Sequence, residues 1–153
     1  MKKTLGLLLA LTVLAGIASA ADKPNFGGTW KMNLAKSNFG PVPGPASMSR
    51  VISHAEPQIV IVEEQVGDGG AQNTTRKYTT DGSATSFESQ GAAVTSSAKW
   101  DGNALVVISE VSAIGLTYND RMTLSEDGKT LTSTLKISSA QGGLDLIVVF
   151  ERQ

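Results

Sequence analysis

The sequence has no cysteine and one histidine, His54. The first absence excludes disulfides, thiolate metal sites and cysteine nucleophiles. The second excludes any centre built on two imidazoles. A Ser-His-Asp triad would have to pass through His54, and no Gly-x-Ser-x-Gly elbow precedes a helix. His54 sits beside an expected turn at Glu56-Pro57 and reads as an exposed strand-end residue. Charge of one sign is also missing, with 13 Lys and Arg against 14 Asp and Glu, a formal net charge of −1. No basic patch stands ready to neutralise phosphates, so nucleic acid is not an expected partner. Beyond the first twenty residues there is no long apolar run and no 3.6-residue apolar period, so no long helix is expected.

The first residues are a different kind of sequence. Met1-Lys2-Lys3 is a short basic start, Leu5 to Ile17 an apolar stretch, and Ala18-Ser19-Ala20 a small-x-small cleavage site. These three parts make a secretory signal peptide of bacterial type, too short to span a membrane. The expected organisation is a signal peptide over 1–20, an N-terminal strand with a Pro/Gly-rich loop over 21–46, and a β-meander over 47–153. The expected location is the periplasm or the medium.

Thr29 to Leu34 suits a first strand, and Ala35 to Ala46, with three prolines, a loop. Thereafter strands are expected at 48–55, 58–66, 71–79, 84–89, 93–100, 103–112, 115–125, 130–138 and 143–152. Turn signals such as Asp81-Gly82, Asp101-Gly102 and Asp127-Gly128 separate them. This rhythm predicts an all-β, antiparallel up-and-down meander of about 9–10 strands, a barrel or else a two-layer sandwich. An outer-membrane barrel does not fit, because 71–79 (AQNTTRKYT) is polar on both faces.

Alternation assigns the faces. Leu116, Tyr118, Met122 and Leu124 share one side of their strand; Leu131, Leu135 and Ile137 share one side of the next. Leu144, Leu146, Val148 and Phe150 do the same in the last strand. Small residues such as Ser96, Ala98, Ser109 and Ser133 fall on the same inner faces, which leaves room for a cavity. The expected cavity residues are Trp100, Tyr118, Asp120, Met122, Leu135 and Phe150. Asp120 is the anomaly: it falls on the face of Tyr118 and Met122. A carboxylate there needs a bulge that turns it out, a wet cavity or a cationic partner.

No catalytic or metal-binding set emerges. Glu63 and Glu64 are adjacent in a strand and point to opposite faces, so they cannot work as a pair. Gly67-Asp68-Gly69-Gly70 holds one acid, too few for a calcium loop, and lies between strands, not before a helix that would cradle phosphate. No cofactor is expected.

Gly28-Thr29-Trp30 resembles the Gly-x-Trp start of the lipocalin and wider calycin superfamily. The resemblance implies a barrel closed at one end by Trp30, with an arginine from a late segment, here Arg152, stacked across it. It also implies that the last strand pairs with the Trp30 strand. Residues 26–46 are similar to small exported bacterial proteins described as lipocalin-like and mostly uncharacterised. The lipocalin disulfide and C-terminal helix are lacking here. The functional expectation is non-catalytic binding of a small apolar ligand. The alternative is an envelope interaction or structural module, with a homodimer among its forms. Its basis is the strands that are apolar on both faces, 59–62, 104–108 and 144–150.

Overall fold

A computed structural model describes residues 23–153; the expected signal peptide and its cleavage site lie outside the described residues. Ten antiparallel strands follow one another: β1 (Gly28–Met32), β2 (Ser47–Ala55), β3 (Gln58–Gly67), β4 (Gly70–Thr79), β5 (Asp81–Ser89), β6 (Ala92–Asp101), β7 (Ala104–Val111), β8 (Leu116–Leu124), β9 (Thr130–Ser139) and β10 (Gly142–Arg152). They form one sheet in the order β4-β3-β2-β1-β10-β9-β8-β7-β6-β5. The architecture is a nearly closed barrel, not a sandwich. Among the described residues no helix is long and apolar enough to cross a membrane.

The ladder joins the two ends of the chain. Trp30 pairs with Arg152 and Met32 with Phe150, while β2 covers the other edge of β1. From Phe150 to Arg152, β10 therefore has a strand on each side. The remaining break is a seam between β4 and β5, which are not paired in the sheet. Side chains span this seam: Thr85 Oγ1 donates to Lys77 O at 2.8 Å, and Gln90 Nε2 to Gln72 Oε1 at 2.8 Å.

β1 stops at Met32, short of the expected Leu34. Asn33 is the reason. Its side chain accepts from Lys36 N and caps a 3-10 turn at Leu34–Lys36. Asn33 N donates to Val149 O, and Asn38 bridges Ile147, so this segment stays fastened to β10 before the chain turns away.

The two ends of the barrel differ. At the end holding β1's start, Trp30, Leu105, Leu131 and Phe150 have no exposed surface, and Phe26 and Met122 are 1% exposed. This is a filled hydrophobic core. Trp30 Nε1 donates to Phe26 O at 2.9 Å, so its one polar atom is satisfied. Arg152 lies 4.2 Å over the Trp30 ring, and its Nη1 donates to Gly27 O at 2.6 Å. Gly28 has φ +138°, and a Cβ there would strike Arg152 Nη1. The glycine two residues before the tryptophan thus makes room for the arginine that seals the end.

Candidate functional site

The other half of the barrel is hollow. A cavity of about 770 Å³ opens between the β3–β4, β5–β6 and β7–β8 turns and the loop 39–46. That volume lies within the usual range of small-molecule sites. Tyr118, Asp120 and Leu135 line it. Trp100, Met122 and Phe150 do not, which corrects the expected set. Met122 and Phe150 belong to the filled end, as their near-zero exposure shows. Trp100 sits near the sealed end, where its Nε1 donates to Glu56 Oε1 at 2.9 Å and its ring lies 5.6 Å from Phe26. Trp30 belongs to the core and Arg152 caps it from outside; neither lines the cavity.

The floor of the cavity is charged. Arg50 on β2 is 5% exposed, and its Nε donates to Glu63 Oε2 at 2.6 Å. Arg76 on β4 donates from Nη2 to the other Glu63 oxygen. The Arg50 guanidinium also lies 4.3 Å from the centre of the Phe150 ring. Its Nη1 is buried with no hydrogen-bond partner among the described residues. A buried unpaired donor on a cation is costly, so its position beside a cavity is informative.

Asp120 completes this floor. The β8 ladder is unbroken on both sides, so no bulge turns the residue outward. Its carboxylate accepts from Ser133 Oγ. Burial pushes the Asp120 carboxyl above its usual range, against the lowering pull of Arg50, the Ser133 bond and Arg76. Glu63 goes the other way. Burial opposes its ionisation, but two guanidiniums outweigh that and hold it below the usual range. Two cations thus face one firmly ionised carboxylate and one that resists ionisation. Burial likewise raises the nearby Tyr78 hydroxyl, which stays neutral.

Arg50, Glu63 and Arg76 were absent from the expected set. The signal was present in β2 and β3. Met48, Arg50 and Ile52 alternate on one face, as do Ile59, Ile61 and Glu63, and in each case the charged residue shares the face of core apolar residues. Glu64 points outward, as alternation requires.

His54 also departs from expectation. Its side chain is 2% exposed. Nδ1 accepts from Phe26 N at 3.0 Å, and Nε2 donates to Glu56 Oε1 at 2.9 Å. Both ring nitrogens are thereby committed, Nδ1 to the N-terminal segment at Phe26 and Nε2 to the β2–β3 turn at Glu56. Among the described residues no group of His, Cys, Asp and Glu side chains is placed to hold a metal ion.

No family model matches the sequence, and no curated protein sequence matches it. Solved structures do share the fold. Zebrafish ileal bile acid-binding protein, solved with cholic acid, superposes with a TM-score of 0.62 at 17% identity over 84% of this chain and 98% of that one. A secretory abundant heat soluble protein from Ramazzottius varieornatus gives 0.65 at 11% identity, covering 84% and 95%. Echinococcus granulosus fatty-acid-binding protein 1 gives 0.58 at 12% identity, covering 83% and 96%. At these identities the likeness establishes the ten-stranded barrel and leaves function to the site itself.

Proposed function

We propose that this chain is an exported carrier that binds one small amphiphile in the barrel without transforming it. The apolar body would lie in the cavity and an anionic group would meet Arg50. One observation carries the reading: a guanidinium nitrogen, buried and without a partner among the described residues, beside a cavity of about 770 Å³. A carboxylate or sulfonate there would accept the bond that Arg50 Nη1 lacks. Apolar surface from Val94, Leu135, Leu146 and Val148 would hold the rest. Solved neighbours named for bile acid and fatty acid binding support a ligand of this kind. Export rests on the Met1 to Ala20 leader, and the periplasm or medium is the proposed location.

Carriage without chemistry is supported by how the reactive groups are used. The one histidine is locked in two structural bonds. Glu63 is shared by two arginines.

The test is native mass spectrometry of the protein purified from its own envelope, with 1-anilinonaphthalene-8-sulfonate titration of the stripped protein. The reading expects a stoichiometric extra mass that leaves on gentle activation, and saturable dye binding weakened by Arg50→Gln. A bare mass together with no saturable dye binding would remove it. The second reading, an interaction module with a homodimer among its forms, has one specific support. Val51 and Val62 are paired across β2 and β3 and are both exposed. A strict monomer across concentrations in light scattering would count against it.

A further inference from the structure

The cavity wall is not uniform around the barrel. On β3 and β4 every lining side chain is polar: Glu63, Gln65, Gln72, Thr74, Arg76 and Tyr78. On β6, β7 and β10 every one is apolar: Ala92, Val94, Val111, Leu146 and Val148. β5, across the seam from β4, adds Phe87 and Ser89, and β2 adds Met48 and Arg50. β8 and β9, which separate β10 from β7 in the sheet, carry both kinds of side chain. Asp120 and Ser133 join the charged floor, Leu135 pairs with Asp120 across the ladder, and Tyr118 stands nearer the mouth.

A cavity for a flexible hydrocarbon needs apolar contact on all sides, because a chain has no polar face to turn toward Gln65 or Thr74. Each unmatched polar group on the wall that loses its water to such a ligand costs free energy. A cavity with one polar arc and one apolar arc fits a ligand that is itself two-faced and too stiff to fold its polar groups away. From this division we infer, resting on the carrier reading above, that the ligand is a rigid fused-ring amphiphile. It carries hydroxyl or similar groups along one face and an anionic group at one end. The anion meets Arg50, the polar face lies along β3 and β4, and the bare face lies along β6, β7 and β10.

The polar arc also borders the seam between β4 and β5. If it served only to be wet there, hydroxyl groups on a ligand would gain nothing from it. Competition against 1-anilinonaphthalene-8-sulfonate on the stripped protein separates the cases, with three carboxylates used as probes below their micelle concentrations. Cholate carries three hydroxyls on one face of a fused ring, 5β-cholanate has the same skeleton with none, and palmitate is a flexible chain. Cholate should displace the dye at a concentration about tenfold lower than the other two, the worth of roughly one or two well-made hydrogen bonds. The double substitution Gln65→Leu with Thr74→Val should shrink that preference to about twofold while leaving 5β-cholanate unchanged or tighter. Equal or tighter binding of 5β-cholanate or palmitate by the unsubstituted protein overturns the inference and leaves the carrier reading standing. So does a preference for cholate that survives the double substitution in full. Saturable dye binding that none of the three carboxylates competes for also overturns it. Failure to bind the dye at all overturns this inference, and together with a bare native mass it removes the carrier reading as well.

Discussion

Arg152 and Trp30 face each other across the β1–β10 ladder, the guanidinium 4.2 Å from the indole ring. Arg152 also donates from Nε to Gly128 O at 2.8 Å and from Nη1 to Gly27 O at 2.6 Å. One side chain thereby holds the first strand, the last strand and the β8–β9 turn. Arg152→Ala is expected to lower unfolding free energy by about 1–2 kcal/mol, combining lost ring stacking with two lost charge-assisted bonds at a solvent-exposed site. Arg152→Lys should recover less than half, since a point charge cannot stack and fork at once. Urea titration reads both; a loss below about 0.5 kcal/mol for the alanine variant would deny the seal its role.

Asp120 makes stability depend on pH in a defined direction. Its pKa is raised in the folded state, so the stabilisation it brings is fully present below the unfolded value of about 3.9. That stabilisation is lost as pH rises through the folded value. Glu63, with a lowered pKa, acts with the opposite sign in more acid solution. The difference between unsubstituted protein and Asp120→Asn isolates Asp120. The asparagine variant should gain relative stability as pH climbs from about 4 toward neutral. Parallel stability curves over that range would show that Asp120 ionises as freely folded as unfolded.

The hydroxyls of Ser96 and Ser109 meet at 2.7 Å, and Ser96 is 1% exposed. Ser96→Ala should cost about 1–2 kcal/mol, because it strands the Ser109 hydroxyl. Replacing both with alanine should cost less than the sum of the single changes. A double-mutant cycle by chemical denaturation measures this, and strict additivity would mean the two hydroxyls do not depend on each other.

Gly44 and Phe39 form the tight point of the mouth loop. A Cβ on Gly44 would lie 2.5 Å from Phe39 Cδ2, so Gly44→Ala must move the ring. Phe39 lines the cavity and packs on the core, so its displacement opens the mouth. Dissociation of bound 1-anilinonaphthalene-8-sulfonate should become about three- to tenfold faster in stopped flow, while loss of packing around one ring costs about 1–2 kcal/mol. An unchanged dissociation rate would place the exit elsewhere.

Hydrogen exchange should trace the sheet's continuity. Amides over 145–150 lie in a strand paired to β9 along its length and flanked from Ile147 to Phe150 by Asn38, Ser37, Asn33 and Met32, and should be among the slowest. Amides of β4 and β5 that face the seam should exchange fastest of those in strands. Early loss of protection at 145–150 would contradict closure through β1.

The strands were legible because each one carries period-two alternation and ends at a turn residue with its own physical reason. Leu131, Leu135 and Ile137 in β9, bounded by Asp127-Gly128 on one side and Gln141-Gly142-Gly143 on the other, leave little choice. Closure was legible only through resemblance at Gly28-Thr29-Trp30, since alternation says nothing about which edges meet. Within the site, Tyr118, Asp120 and Leu135 followed from face assignment. Trp100, Met122 and Phe150 sit on inward faces too, but depth along the barrel axis separates core from cavity, and a strand pattern carries no depth. Arg50 and Arg76 are hidden in the sequence for a different reason. A charged residue in an alternating strand is normally turned to solvent, and only its register against Met48 and Ile52, or Tyr78, shows otherwise. The burial of His54 is not legible in its own strand, because it depends on Phe26, a residue from another part of the chain.

The chain and the barrel are interrupted in different places. The covalent gap falls between β10 and β1, where Gln153 N donates to Thr29 O and the ladder is complete. The gap in the ladder falls between β4 and β5, where the backbone runs on through Thr80 and only side chains cross. Each break is thus covered by the kind of bond the other lacks. A circular permutant that tied Gln153 to Lys23 by a short linker and opened the backbone at Thr80–Asp81 would bring the two breaks together. Its strands would then follow one another in strict spatial order from β5 round to β4, a single meander with every pairing local. Such a chain would have no long-range strand pairing left to find, and its seam would become a pair of free ends.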